Sequence, residues 1–275
     1  MPDAVLVLSS HSPLPEELGD LLREEGASGI WEVSLTEWRA YFAAEDRDLP
    51  SHCAALFPDV HATWRHEETV DWAARYQASL RPLCVGRRFV ILPSPDLQNP
   101  WPGRLPIRLV PGMAFGTGEH FTTSSCLEAL ESLAPIRGPV LDVGCGSGIL
   151  SAGSLLLGAP RAVACDVDRD ACRVAADTAR ANGLAYRVVA GSADAVAGRF
   201  SVVVANILAE TLVEILPALN DRLALDGCLI GSGIMHEKGD AVLQRAQQLE
   251  LRLKARRTDG NWWTFLWRRE QQANP

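Results

Sequence analysis

An amide, two carboxylates and a run of alternating glycines form the chemically suggestive set in this chain. Gly144, Gly146 and Gly148 follow an apolar run, residues 139–143, and precede a segment, 149–158, that reads as a helix. Strand, glycine turn and helix together expose backbone N–H groups at a positive helix terminus. Glycine also lets a ligand approach that backbone without meeting a Cβ. Asp166 closes the next apolar run, and a carboxylate ending a second strand can take both hydroxyls of a ribose. Asn206 closes a later apolar run, residues 200–206. Strand ends of a parallel sheet converge on one crevice, so Gly144, Asp166 and Asn206 are expected to build one nucleoside site.

The glycine spacing separates cofactor classes. A dinucleotide fingerprint needs a glycine or alanine five positions after its first glycine. Counted from Gly144 that position is Ile149, and counted from Gly146 it is Ser151. The pattern Asp142-x-Gly144-x-Gly146-x-Gly148 instead resembles the first motif of S-adenosylmethionine-dependent methyltransferases. A sulfonium cofactor has no pyrophosphate to cradle. Its positive centre and amino-acid tail call for a carboxylate near the loop, and Asp142 is available for that role.

The elements that must position these residues follow from periodicity and turn signals. After the glycine turn the chain alternates strands and helices, which implies a parallel sheet. Asp168 suits the N-cap of a helix ending near Asn182, with Gly183 beyond it. Asp259-Gly260 between two polar–apolar runs signals a C-terminal hairpin. Before the glycine turn, residues 109–123 are glycine-rich and end on Thr122-Thr123, either of which can cap the next helix. This loop reads equally as a lid over a ligand or as an ordinary capped loop. Residues 1–80 read as a small α+β domain with strands near 4–8, 29–34 and 62–67 and helices near 15–25, 49–57 and 71–80. Residues 81–108 hold six prolines around one strand and read as a stiff extended linker. Residues 109–275 then form the larger domain.

Composition narrows the function classes. The 275 residues carry a net charge of −8, with no long basic run, which argues against a general phosphate-gripping surface and direct nucleic-acid binding. Seven cysteines show neither a C-x-x-C pair nor zinc spacing, and read as reduced thiols of a cytoplasmic protein. The six histidines show no ligand spacing, so no metal site is expected. No apolar stretch reaches membrane length.

Several stretches together resemble the PrmA family, the methyltransferases of ribosomal large-subunit protein eleven. They are Phe115-Gly-Thr-Gly-Glu-His-Phe-Thr-Thr, Leu141-Asp-Val-Gly-Cys-Gly-Ser-Gly-Ile-Leu, Ala205-Asn-Ile-Leu-Ala and Gly231-Ser-Gly-Ile, with Asp71-Trp-Ala and the approach from Leu80. The match covers about residues 70–269 in motif order. It implies a ferredoxin-like substrate-recognition domain joined to a class I, Rossmann-like methyltransferase domain. It also implies methylation of amines, on lysine side chains or the N-terminal α-amine, with S-adenosylmethionine as cofactor. The family's cofactor contacts fall on Thr123, Gly144, Asp166 and Asn206, with Gly146 in the same turn. Glu119 and Phe121 stand where the family loop has Thr and Pro, which leaves the acceptor open. Protein-lysine methyltransferases with other protein substrates look similar in the catalytic half, and a nicotinamide oxidoreductase is the alternative outside the class.

Asn206 is expected to orient the acceptor amine, because a neutral amide cannot deprotonate it. His120 is open between base, cofactor contact and brace. Cys145 reads as small filler, with no histidine placed to activate it. Of Trp262 and Trp263, adjacent in a strand and therefore on opposite faces, one is expected in the core and the other free for a substrate cation.

Overall fold

The computed structural model describes residues 4–66, 81–110 and 118–269. The chain divides into two compact units, 1–78 and 79–275. The helix expected at 71–80 and most of the glycine-rich loop lie outside the described residues.

In the first unit the elements run β1 (Ala4–Ser9), α1 (Glu16–Glu24), β2 (Gly29–Ser34), β3 (Glu37–Phe42), α2 (Leu49–Leu56) and β4 (His61–His66). The sheet order is β2-β3-β1-β4, with every neighbouring pair antiparallel. This is the ferredoxin-like split βαβ arrangement. Leu18 and Leu22 sit four apart on one face of α1 and are wholly buried against Leu6, Leu8 and Ala40. Along β3, Trp38, Ala40 and Phe42 alternate inward.

The second unit is built on a seven-stranded sheet of order β10-β9-β8-β11-β12-β14-β13. The strands are β8 (Val140–Val143), β9 (Ala162–Asp166), β10 (Arg187–Ala190), β11 (Phe200–Asn206), β12 (Leu223–Met235), β13 (Leu251–Thr258) and β14 (Trp262–Arg269). The first five positions in this order are mutually parallel, and the expected hairpin β13–β14 adds antiparallel. The helices are α3 (Phe121–Ser132), α4 (Ile149–Leu156), α5 (Arg169–Ala181), α6 (Ala209–Arg222) and α7 (Gly239–Gln248). Strand alternation sorts the two faces. Val140, Val202, Val204 and Ile230 pack with α3 and α4, while Leu141, Val203, Leu229 and Trp267 pack with α6 and α7. From β8 the order proceeds to β9 and β10 on one side and to β11 and β12 on the other. Such a reversal leaves a crevice beyond the strand ends.

The proline-rich stretch 81–108 is not the extended linker the sequence suggested. It folds as β5 (Leu83–Val85), β6 (Phe89–Leu92) and β7 (Leu105–Arg108), in that spatial order. Phe89, Ile91 and Ile107 are wholly buried in the same core as α3 and α4. The Glu131 carboxylate accepts from the backbone N–H groups of Arg87 and Arg88 at 3.0 and 2.7 Å. Asn182 clasps β7 from the other side, accepting from Arg108 N at 2.8 Å and donating to its carbonyl at 2.7 Å. Pro106 is tolerated because β7 is an edge strand, and the other prolines fall outside the strands.

Candidate active site

A cavity of about 890 Å3 opens at the C-terminal ends of β8, β9 and β11. Thr123, Gly144, Gly146, Asp166 and Asn206 all line it, so five of the six residues singled out in sequence meet in one place.

The turn after β8 holds Gly144, Gly146 and Gly148 at φ of 68°, 50° and 76°, a region L-residues with a Cβ avoid. At Gly144 room is short as well, since a Cβ there would stand 2.3 Å from Cγ2 of Ile207. The Asp166 carboxylate braces this turn: Oδ2 accepts from Gly146 N at 3.0 Å and Oδ1 from Asp168 N at 3.0 Å. Each oxygen has two lone-pair sites, so both can still receive a hydroxyl. Asp168 itself caps α5, accepting from Asp170 N at 2.8 Å.

Opposite the turn, Asn206 Nδ2 donates to Thr123 Oγ1 at 3.2 Å. Its Oδ1 is buried with no hydrogen-bond partner among the described residues. Helix α3 starts at Phe121, earlier than its sequence suggested, and neither threonine caps it. His120 does, with Nδ1 accepting from Thr122 N at 3.3 Å and lying 2.8 Å from Thr122 Oγ1. Thr122 and Thr123 are thereby placed inside the first turn, buried in the cavity wall. Phe121 occupies the first helical position, where proline is favoured because its N–H is not needed there. Glu119 is exposed and does not line the cavity.

His120 packs edge-on against Trp262, with ring centroids 5.1 Å apart. Both line the cavity. Trp263 faces away, stacked between His236 and Phe265 with Arg256 over its ring. Trp262 is therefore the tryptophan available to a ligand.

Asp142 departs from its expected role. It is wholly buried and does not line the cavity. Side-chain alternation along β8 turns it toward α4, away from the cavity mouth. There Oδ2 accepts from Ser151 N at 2.9 Å and from Ser151 Oγ at 2.7 Å, serving an N–H in the first turn of α4. Burial outweighs these bonds and pushes its carboxyl up to about 7. Cys145 does line the cavity, but burial, with Asp142 and Asp166 nearby, drives its thiol well above the ordinary range, which disfavours the thiolate a nucleophile needs.

Sequence reasoning assigned only Asp166 of the four carboxylates that line the cavity. Asp166, Asp168, Asp194 and Glu214 all line the cavity, and the described lining residues include no Lys or Arg. Asp194 follows β10 just past its C-terminal end, a position the strand-end rule covers. Glu214 lies on α6, where only tertiary packing brings it into range. Val167 and Leu208 are 78% and 66% exposed beside Asp166 and Asn206, giving the cavity an apolar rim. No group of metal-ligating side chains occurs among the described residues. Among these residues no helix is long and apolar enough to cross a membrane.

The parallel sheet with its antiparallel C-terminal hairpin, and the glycine turn and acidic strand end at its switch point, define a class I methyltransferase. The family model for ribosomal protein L11 methyltransferase (PrmA) matches residues 16–270, and the chain belongs to this family. It is 40% identical over 255 residues to a ribosomal protein L11 methyltransferase of Geobacter metallireducens, covering 87% of this chain and 84% of that one. A relative of the same name from Geobacter sp. (strain M21) is 45% identical over 230 residues, 79% of this chain and 74% of its own. The crystal structure of a ribosomal protein L11 methylase from Lactobacillus delbrueckii subsp. bulgaricus superposes with a TM-score of 0.65 at 31% identity, covering 70% of this chain and all of that one.

Proposed function

We propose that the cavity binds S-adenosylmethionine and that the chain methylates amines of ribosomal protein L11, on lysine side chains or the N-terminal α-amine. The observation that carries the cofactor is the charge of the cavity. Four carboxylates and no Lys or Arg among the described lining residues favour a sulfonium with its ammonium tail. A dinucleotide would bring two phosphate charges into the same space, and like charges at about 4 Å cost roughly 4 kcal/mol near a protein surface. The glycine turn suits a nucleoside of either kind: a Cβ at Gly144 would stand 2.3 Å from Cγ2 of Ile207 in the cavity wall. The substrate rests on the names of the relatives.

Asp166 and the Gly144–Gly146 backbone would hold the nucleoside, and Thr123 and Asn206 would face the reacting end. The cofactor supplies the electrophilic methyl group. A lysine amine has a pKa of about 10.4 and must be neutral to attack, and withdrawal from water lowers that value. Asn206 Oδ1, without a partner among the described residues, can accept an N–H of the amine and so aim its lone pair, while Nδ2 stays on Thr123. Trp262 and the apolar rim would exclude water around the acceptor.

The ferredoxin-like unit is the part left to recognise the protein substrate. The seven free thiols, Cys126 among them with burial raising it to about 12, suit a reducing cytoplasm. The test is incubation with labelled S-adenosylmethionine and purified L11, followed by mass spectrometry. Methyl groups on L11 amines are expected. Labelling of a different protein only would discard the substrate, and calorimetry showing no cofactor uptake would discard the site. Asn206→Ala is expected to lose most turnover while folding normally, and a near-normal rate would remove its assigned role.

A further inference from the structure

Behind the Asn206 end of the cavity lie three hydroxyls from elements far apart in sequence. Ser125 of α3, Ser232 of β12 and Thr264 of β14 are 1%, 0% and 2% exposed. Thr264 Oγ1 is hydrogen-bonded to Ser125 Oγ and, at 2.6 Å, to Ser232 Oγ. Ser125 Oγ and Ser232 Oγ both reach the carbonyl oxygen of Thr122, at 3.2 and 3.3 Å.

Three hydroxyls carry three protons, and each can donate one bond while accepting others. The cluster is therefore a directed chain. In one sense Ser232 donates to Thr264, Thr264 to Ser125, and Ser125 to the Thr122 carbonyl. In the other sense the chain starts at Ser125, passes through Thr264 and Ser232, and ends on the Thr122 carbonyl at 3.3 Å or the Trp263 carbonyl at 3.5 Å. Both satisfy every hydroxyl, and both fix the first turn of α3 against β12 and β14.

None of the three hydroxyl-bearing residues lines the cavity, yet the residues beside them do. The Thr122 carbonyl is an acceptor at the end of the chain, and Thr123 next to it receives Asn206 Nδ2. Gly233 follows Ser232, and Trp262 stands two residues before Thr264. The Ser232 carbonyl accepts from Ile207 N at 3.1 Å, fixing the backbone that follows Asn206. Apolar side chains of the same size would fill this space without desolvating three hydroxyls. What the hydroxyls add is register: whichever way the protons run, the same oxygen-to-oxygen contacts must be kept, so the three elements are held in one alignment.

We propose that Ser125, Ser232 and Thr264 are positioning residues for methyl transfer, holding Thr123, Asn206 and Trp262 in register without touching cofactor or acceptor. This rests on the reading that the Asn206–Thr123 end of the cavity is the reacting end. The nucleoside end, at Gly144 and Asp166, is held by β8 and β9 and does not depend on the cluster. Removing a hydroxyl is thus expected to separate rate from cofactor binding.

The experiment compares Thr264→Val, Thr264→Ser, Ser232→Ala and Asn206→Ala in the full chain. It measures kcat and, by calorimetry, affinity for the demethylated cofactor. Thr264→Val keeps the shape and loses the hydroxyl. It is expected to lower kcat roughly 10- to 100-fold, the scale of a small misplacement of reacting groups, with cofactor affinity changed much less because Gly144 and Asp166 still hold the nucleoside. Ser232→Ala should do the same, and Thr264→Ser should restore most of the rate. If Thr264→Val and Ser232→Ala both turn over normally while Asn206→Ala is inactive, the positioning role is refuted and the site reading stands. If Asn206→Ala turns over normally, the site reading fails and takes this inference with it. If Thr264→Val loses rate, affinity and thermal stability together and serine does not rescue it, the cluster is only part of the core.

Discussion

Asp142→Asn separates the two roles open to the motif carboxylate, and its effect can be worked from the surroundings of the side chain. Asp142 is wholly buried, and Oδ2 receives both Ser151 donors while Oδ1 has no partner among the described residues. Desolvation lifts its pKa to about 7, whereas an unfolded Asp titrates near 3.9. A carboxyl raised in the folded state keeps a proton there that the unfolded chain has lost. Stability from this group is therefore greatest at low pH, falls as pH rises from about 4 to about 7, and levels off above. The penalty relative to a neutral group is on the order of 1–2 kcal/mol at pH 5 and roughly 4 kcal/mol at pH 8. Asparagine can present its amide oxygen to the same Ser151 donors and does not ionise. Urea denaturation of wild type and Asp142→Asn at pH 5 and pH 8 should then show the variant gaining on wild type by roughly 2–3 kcal/mol across that interval. Cofactor affinity should be unchanged, because the side chain does not line the cavity. Parallel stability curves over this pH range, or a collapse of cofactor binding in the variant, would refute the reasoning.

Two further substitutions probe the nucleoside end. Gly144→Ala forces a Cβ to within 2.3 Å of Ile207 at a φ of 68°, and is expected to cost roughly 2–5 kcal/mol of stability and to abolish cofactor uptake, read by denaturation and calorimetry. Asp166→Ala removes the brace on Gly146 and Asp168 together with the ribose acceptor. It should weaken cofactor affinity at least about tenfold, since hydrogen bonds to a charged group are worth roughly 1.5–3 kcal/mol each, and unchanged affinity would remove Asp166 from the site.

Much of this protein is decided locally, and that part was legible in the residues. The glycine turn demands positive φ at alternate positions, Asp168 and Gly183 bracket α5, and Asp259-Gly260 closes the hairpin, because each rule involves only neighbours in the chain. The strand-end rule placed Gly144, Asp166 and Asn206 together for the same reason: apolar runs end where parallel strands end. What tertiary structure alone decided is where side chains with two local options go. Asp142 serves α4 because strand alternation turns it from the cavity, His120 takes the cap that two threonines competed for, and residues 81–108 become a sheet because α3 and α4 offer them a face to bury. Glu214 enters the cavity, and Ser125, Ser232 and Thr264 meet, through packing between segments far apart in sequence. No local propensity encodes such meetings, since they exist only once the whole sheet has closed around its core.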